Sequence, residues 1–215
     1  GSPVTDVRMA RFEGNKAIIS QYSRMARDIG FKGFFAVVSD PVDPLCKTVF
    51  LESNKNDEGS FDFKGIAPNM IIGFGLGVMN ARAAFYAEKD ENLSHYLEEG
   101  QVFGPHGKGL IVADSMENYD QDKSLYLTNK TVNANMEIRD LGFKPFVAPS
   151  LSSGSLSIAA VIQGDYLYGS SLMGDVFMGS KIRLTETGLE VPQYELDPLL
   201  KERLTETYNE LRSII

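Results

Sequence analysis

The chain has 215 residues, which is enough for one large domain or two small ones with a substantial core. A formal net charge of -8 and a pI near 4.9 argue against proteins that bind nucleic acid or an anionic membrane through charge, and no uncharged apolar stretch is long enough to span a membrane. The single cysteine, Cys46, excludes an intrachain disulfide and a cysteine zinc site, so we expect a reducing, cytoplasmic location and no metal.

The first third of the chain has the pattern of a parallel α/β fold. Apolar residues at helical spacing predict a helix from Gly14 to Ile29, with Gly30 placed to end it. The run FFAVVS, Phe34 to Ser39, predicts a strand that is buried on both faces, as in a parallel sheet. The polar segment from Ser53 to Gly65 predicts a surface loop or hairpin. A second short strand is expected from Met70 to Gly73.

The remainder of the chain has an α+β pattern. A helix is expected over residues 78–89, and an antiparallel pair of strands from Gly100 to Asp114. Two helices are expected next, over residues 123–141 and 156–163; the first would use Leu125, Val132, Met136 and Leu141 as its apolar face. Strands follow between residues 166 and 191, and Asp197 and Pro198 begin a final helix. We place the domain boundary near Pro68, which gives domains of residues 1–67 and 68–215.

Two short segments contain residue types that carry chemistry. The glycines at 73, 75 and 77 lie between a strand and a helix but miss the dinucleotide fingerprint G-x-G-x-x-G, because its third glycine falls on Val78. His106, in GPHGKG, is expected at a turn with an accessible imidazole. His95 lies in a polar segment and is expected to be solvated.

Three segments in chain order resemble the lactate/malate dehydrogenase family. They are AVVSDPVDPL, IIGFGLGVMNAR and VFGPHGKG, at residues 36–45, 71–82 and 102–109, and they are similar to the family's V-V-S-N-P-V-D, I-G-x-G-x-x-L-D-x-A-R and L-G-E-H-G-D. RMARFEGN, at residues 8–15, is similar to the family's mobile active-site loop. The C-terminal hairpin and helix also resemble those of the family, so the resemblance covers nearly the whole chain apart from an insertion at about residues 52–64.

The resemblance implies a remnant of a parallel dinucleotide-binding sheet, followed by an α+β substrate-binding and catalytic domain. The family's nucleotide fingerprint would precede everything in this sequence, so either a trimmed or a naturally shortened chain is implied. The implied activity is hydride transfer between NAD and a 2-hydroxy or 2-keto acid in a homo-oligomer. We expect NAD binding by these 215 residues to be weak, because the pyrophosphate-binding turn is missing.

The resemblance also assigns roles to individual residues. Arg82 would hold the substrate carboxylate, Arg8 would close over the pocket and polarise the reacting carbonyl, and His106 would exchange the hydroxyl proton. The remaining assignments are Lys144 to the substrate side chain, Asp40 to substrate and cofactor, and Ser39 to cofactor.

Two departures from the family pattern leave the function open. The aspartate that pairs with the family's histidine is Met79 here, and the asparagine of V-S-N-P is Asp40, which would either repel an anionic substrate or replace the missing partner of His106. One hypothesis is a divergent dehydrogenase, and another is a catalytically impaired module for binding or oligomerisation. An enzyme acting on sugars or phosphate esters has only the glycine run in its favour.

Overall fold

A computed structural model describes residues 12–142 and 154–215 of the chain. In chain order, its elements are α1 (Phe12–Asp28), β1 (Phe35–Val37), α2 (Val42–Ser53), β2 (Ile71–Gly73), α3 (Leu76–Ala87), α4 (Tyr96–Glu99), β3 (Gln101–Phe103), β4 (Ile111–Ala113), α5 (Gln121–Asp140), α6 (Gly154–Gln163), β5 (Leu167–Met173), β6 (Val176–Thr185), β7 (Gly188–Glu190) and α7 (Pro198–Arg212). The fold is mixed α/β, and the positions of the predicted helices and strands are confirmed to within a few residues.

A mixed five-stranded sheet organises the molecule, in the order β1-β2-β5-β6-β7. β1 and β2 are parallel, with Phe35 opposite Ile71, whereas β2 meets β5 antiparallel, with Gly73 opposite Ser170. β3 and β4 form a separate antiparallel pair, as predicted. The five-stranded sheet runs across Pro68, so the division into residues 1–67 and 68–215 stays a prediction.

The predicted apolar face of α1 is mostly wrong. Phe12, Ser23 and Ala26 are buried, because α1 packs on α2 through that side. Four of the apolar residues whose helical spacing predicted this helix are instead between 57% and 78% exposed: Ile18, Tyr22, Met25 and Ile29. Helical periodicity identified the helix correctly but did not distinguish between two faces that both carry apolar side chains.

A similar correction applies to α5. Leu127 is fully buried, together with the small polar side chains of Ser124 and Thr131. Leu125, Met136 and Leu141 are exposed, whereas Val132 packs partly buried against the core. Ser124 can be buried because its Oγ donates to the Val112 carbonyl at 2.5 Å, which ties the helix to β4.

Burial of β1 on both faces is also wrong for the described residues. Val37 is buried, but Phe34 and Val38, which flank β1 at its two ends, are 37% and 41% exposed. Within the described part of the chain, β1 pairs only with β2, so it is an edge strand there.

Residues 54–65 form the small hairpin that was expected, with an antiparallel bridge between Lys55 and Phe61. Arg27 on α1 anchors it through two hydrogen bonds to the Asp62 carboxylate, at 2.8 and 2.5 Å. The hydrogen bonds from this guanidinium lower the pKa of Asp62 to about 2. Arg27 also donates to the Ser53 carbonyl at 3.0 Å, so the hairpin is fixed to the end of α2.

The C-terminal helix begins as predicted. The Asp197 side chain accepts a hydrogen bond from the Leu199 backbone N–H at 2.8 Å, and Pro198 occupies the first turn. Leu200 and Leu211 are buried on its inner face. The Arg203 guanidinium donates to Ser124 at 2.6 Å, so α7 is fixed to α5 by polar contacts as well as by packing.

Candidate active site

Three strand ends converge on one region. Asp40 follows β1, Gly75 follows β2 and His106 follows β3. The Phe74 backbone N–H donates to the Val37 carbonyl at 2.8 Å, which continues the parallel ladder beyond the end of β2. The carboxyl ends of parallel strands form the edge of an α/β sheet where ligands usually bind.

The loop that carries His106 is fixed at both ends. At its start, the Gly104 N–H donates to the Gly179 carbonyl at 2.9 Å. At its end, the buried Thr207 hydroxyl on α7 donates to the Gly109 carbonyl at 2.9 Å. Gly104 has φ +85°, and a Cβ there would lie 2.6 Å from the Gly109 carbonyl oxygen, so this turn requires glycine. The imidazole of His106 is therefore presented on an anchored turn.

His106 and Asp40 lie side by side, with Nδ1 of the imidazole 3.6 Å from Oδ1 of the carboxylate. This is too long for a hydrogen bond but close enough for charge attraction when the imidazole is protonated. Asn15 on α1 donates to the Asp40 carbonyl at 2.6 Å, and the Asp40–Pro41 peptide bond is cis. Gly75 lies directly beside the imidazole, since a Cβ built there would be 3.5 Å from Nδ1, and the same Cβ would come within 2.9 Å of the Val42 side chain.

Met79 occupies the helix position where the resemblance expects an aspartate. Its side chain is fully buried in a hydrophobic cluster that includes Leu76, Ala83 and Leu127. Arg82 follows one turn later on α3, and its Nη1 lies 3.6 Å from the Met79 sulfur. Met79 therefore packs in the hydrophobic core, and the carboxylate beside His106 belongs to Asp40.

A second carboxyl group lies close to Asp40 and was not singled out from the sequence. Asp43, at the start of α2, is 3% exposed and accepts a 2.6 Å hydrogen bond from the Ser170 hydroxyl on β5. Burial raises its pKa to about 7, although the Ser170 hydrogen bond opposes that shift. The only signal for it in the sequence was a second acid in DPVDP, directly after the predicted strand.

His95 is only partly solvated, contrary to expectation, since its side chain is 27% exposed. Its Nε2 lies 3.1 Å from Oδ2 of Asp114, which is fully buried. The other oxygen of Asp114 accepts from the Asp120 N–H at 3.0 Å. The missed signal was the aspartate directly after the apolar run LIVA, because a carboxylate at the end of a buried strand needs partners.

The other predicted site residues are distributed as follows. Ser39 is half-buried just after β1, next to Asp40. Arg8 and Lys144 lie outside the described residues. Across residues 12–142 and 154–215, no cluster of three or more His, Cys, Asp or Glu side chains has the arrangement of a metal site. None of the described helices is both long enough and apolar enough to cross a membrane.

No protein-family model matches the chain. The L-lactate dehydrogenase of Mycoplasma pneumoniae is 28% identical over 106 residues, which are 49% of this chain and 30% of that protein. The L-lactate dehydrogenase of Pediococcus acidilactici is 22% identical over an alignment of 232 residues, covering 98% of this chain and 68% of that protein.

Comparison with solved structures finds dehydrogenases with a similar fold. The structure of malate dehydrogenase from Archaeoglobus fulgidus in complex with NADH matches with a TM-score of 0.73 at 19% identity. The match covers 99% of this chain and 70% of that one, so this chain spans only part of the length of the proteins it resembles. The chain is therefore similar in sequence to these L-lactate dehydrogenases and in fold to this malate dehydrogenase.

Proposed function

We propose that the chain carries the substrate-binding and catalytic portion of a divergent NAD-dependent 2-hydroxyacid dehydrogenase. The observation that carries the proposal is the contact between His106 and Asp40 at the converging strand ends. An imidazole next to a carboxylate can accept and return a proton near neutral pH, which is the proton chemistry that interconversion of a hydroxyl and a carbonyl requires.

Substrate orientation is assigned to arginine. Arg82 would bind the substrate carboxylate, because a planar guanidinium donates two parallel hydrogen bonds to it. Arg8 would polarise the reacting carbonyl, and Lys144 would select substrates with a second acidic group. The roles of Arg8 and Arg82 rest on the resemblance of the motifs around them, and that of Lys144 rests on its place along the chain.

His106 would donate its proton to the carbonyl oxygen during reduction and recover it during oxidation. Asp40 would stabilise the imidazolium form in place of the family's aspartate, since Met79 occupies that position within the core. The same negative charge would weaken binding of an anionic substrate. The pairing therefore favours proton transfer while making Arg82 more important for affinity.

The described residues fit only part of a dinucleotide. Ser39 and Asp40 lie at the carboxyl end of a parallel strand, where a carboxylate can accept hydrogen bonds from ribose hydroxyls. NAD, when bound, would supply or accept the hydride. These 215 residues contain no G-x-G-x-x-G turn for the pyrophosphate, so weak NAD binding by this chain stays a prediction, as do homo-oligomerisation and a cytoplasmic location.

Substrate binding by the chain itself tests the proposal. Pyruvate and oxaloacetate should perturb the NMR signals of the His106 imidazole, and Arg82→Lys should weaken that binding about tenfold or more through loss of the paired hydrogen bonds. His106→Asn should weaken binding much less, because its role is proton transfer, and calorimetric titration measures this variant because it lacks the imidazole signal. Arg24→Lys, on an exposed ion pair with Glu52, is the matched control. Failure of both keto acids to perturb His106, or equal effects of the lysine variants at 82 and 24, would refute the proposal.

The alternative is a module that keeps the fold and has lost catalysis. The burial of Met79 favours this module, because Met79 occupies the helix position where the resemblance expects an aspartate and contributes there only to packing. An activity assay on a longer protein with an intact nucleotide-binding segment distinguishes the enzyme from the module. Turnover of a 2-keto acid with NADH that is lost on Asp40→Asn supports the enzyme, and ligand binding without turnover supports the module.

A further inference from the structure

A cavity lies away from His106, Asp40 and Arg82. It has a volume of about 340 Å³ and is enclosed by β3, the β5–β6 hairpin, the segment 191–196 and one face of α7. This volume lies at the lower end of the range for small-molecule sites. None of the described candidate active-site residues lines it.

The interior of this cavity is apolar. Met173 and Met178 from the hairpin face Phe103 from β3 and Leu204 from α7. Methionine side chains are flexible and polarisable, so they adapt to ligands of irregular shape. An apolar molecular body, aromatic or aliphatic, is the chemistry that such a lining accepts.

One buried polar atom in the wall has no hydrogen-bond partner. Gln101 lines the cavity and is only 6% exposed, yet its Oε1 is unpaired among the described residues. An unpaired buried acceptor destabilises a folded protein, so its presence needs a reason. A ligand carrying an O–H or N–H group would supply the missing donor.

The charged lining of the cavity is positive. Lys201 lies on the α7 face that also contributes Leu204, Thr205 and Tyr208, and Lys181 comes from β6. No aspartate or glutamate is among the described lining residues, although the chain as a whole has a net charge of -8. Lys201 forms no ion pair with a described residue, so its ammonium group is available to an anion at the cavity rim.

We propose that this cavity binds a small amphipathic carboxylate that carries a hydrogen-bond donor. Its apolar body packs against Met173 and Met178, its carboxylate meets Lys201, and its O–H or N–H donates to Gln101 Oε1. The proposal does not depend on dehydrogenase activity. Because Phe103 in the wall directly precedes Gly104, an occupied cavity also contacts the strand that leads into the His106 loop.

Methionine-methyl NMR on the whole chain gives a local readout of binding. The probe is 3-(4-hydroxyphenyl)propanoate, compared with 3-phenylpropanoate, which lacks the hydroxyl, and with the neutral 3-phenylpropan-1-ol. We expect the hydroxy acid to bind most tightly and the alcohol most weakly. The methyl signals of Met173 and Met178 should shift, whereas those of Met25 and Met136, on exposed helix faces, should stay unchanged.

Variants distinguish the contributions of the two polar contacts. Lys201→Gln should weaken both acids about tenfold and leave the alcohol unaffected, whereas Lys123→Gln, on α5 and outside the cavity lining, should change nothing. Gln101→Leu should reduce the affinity for the hydroxy acid to that of 3-phenylpropanoate without lowering the melting temperature of the free chain. The proposal is overturned if no probe shifts Met173 and Met178, if acid and alcohol bind equally, or if the two lysine variants behave alike.

Discussion

The stability of the chain should depend on pH through the buried Asp43. Its folded-state pKa is about 7, compared with 3.8 for the exposed group, so the folded protein binds this proton more tightly than the unfolded chain does. Stability from this residue is therefore fully present below pH 3.8 and is lost as the pH rises through 7. By linkage, the buried carboxylate costs the folded state about 2 kcal/mol at pH 5.5 and about 4 kcal/mol at pH 8.

The perturbation is Asp43→Asn, which keeps the shape and an acceptor oxygen for Ser170 but cannot ionise. Between pH 5.5 and pH 8, the free energy of unfolding of the variant should rise relative to wild type by about 2 kcal/mol, the difference between the two costs above. Urea unfolding followed by circular dichroism at several pH values measures it. Asp57→Asn, in the exposed hairpin, is the control and should follow wild type. Parallel pH profiles for wild type and Asp43→Asn would show that Asp43 does not titrate in this range.

Three further substitutions test contacts away from Asp43. Arg27→Lys removes the paired hydrogen bonds to Asp62, so amide exchange in the hairpin of residues 54–65 should become faster and the pKa of Asp62 should rise from about 2. His95→Ala leaves the buried Asp114 short of a partner and should lower the free energy of unfolding by about 1–3 kcal/mol, measured by urea titration. Met79→Asp places a carboxylate in the core and should lower the melting temperature far more than Met79→Leu, which should cost less than about 1.5 kcal/mol.

Each of these predictions has a control or an excluded outcome. Unchanged exchange in the hairpin of Arg27→Lys would mean that the ion pair does not anchor it. His106→Ala should affect stability less than His95→Ala, because the partner of His106 is 40% exposed whereas that of His95 is fully buried. A stably folded Met79→Asp with a wild-type melting temperature would contradict the burial of that side chain.

Local patterns predicted the fold well where a single residue type determines the backbone. Asp197 and Pro198 predicted the start of α7, and the glycines of GPHGKG predicted the turn between β3 and β4. The same patterns failed to identify the inner faces of α1 and α5. Leu125 is exposed and Ser124 buried, because a hydrogen bond to β4 decides the orientation of the helix and leaves no periodic signal in the sequence.

The candidate site was predictable only in part. The sequence left open whether Asp40 replaces the missing partner of His106, and the structure places the two side chains 3.6 Å apart. The buried Asp43 was hidden, because its partner Ser170 lies 127 residues away in the sequence and carries no motif. The pair of His95 and Asp114 was also missed, because the polar sequence around His95 does not reveal that a buried carboxylate lies nearby in space.

The junction between β2 and β5 also bears on how the chain folds. β5 and β6 form a hairpin of neighbouring residues, which can assemble early because closing its loop costs little entropy. Gly73 meets Ser170, and Ser170 in turn meets Asp43, only after a long stretch of chain has been ordered. We therefore expect this junction to form late in folding. Substitutions at Ser170 should accelerate unfolding and change the folding rate little.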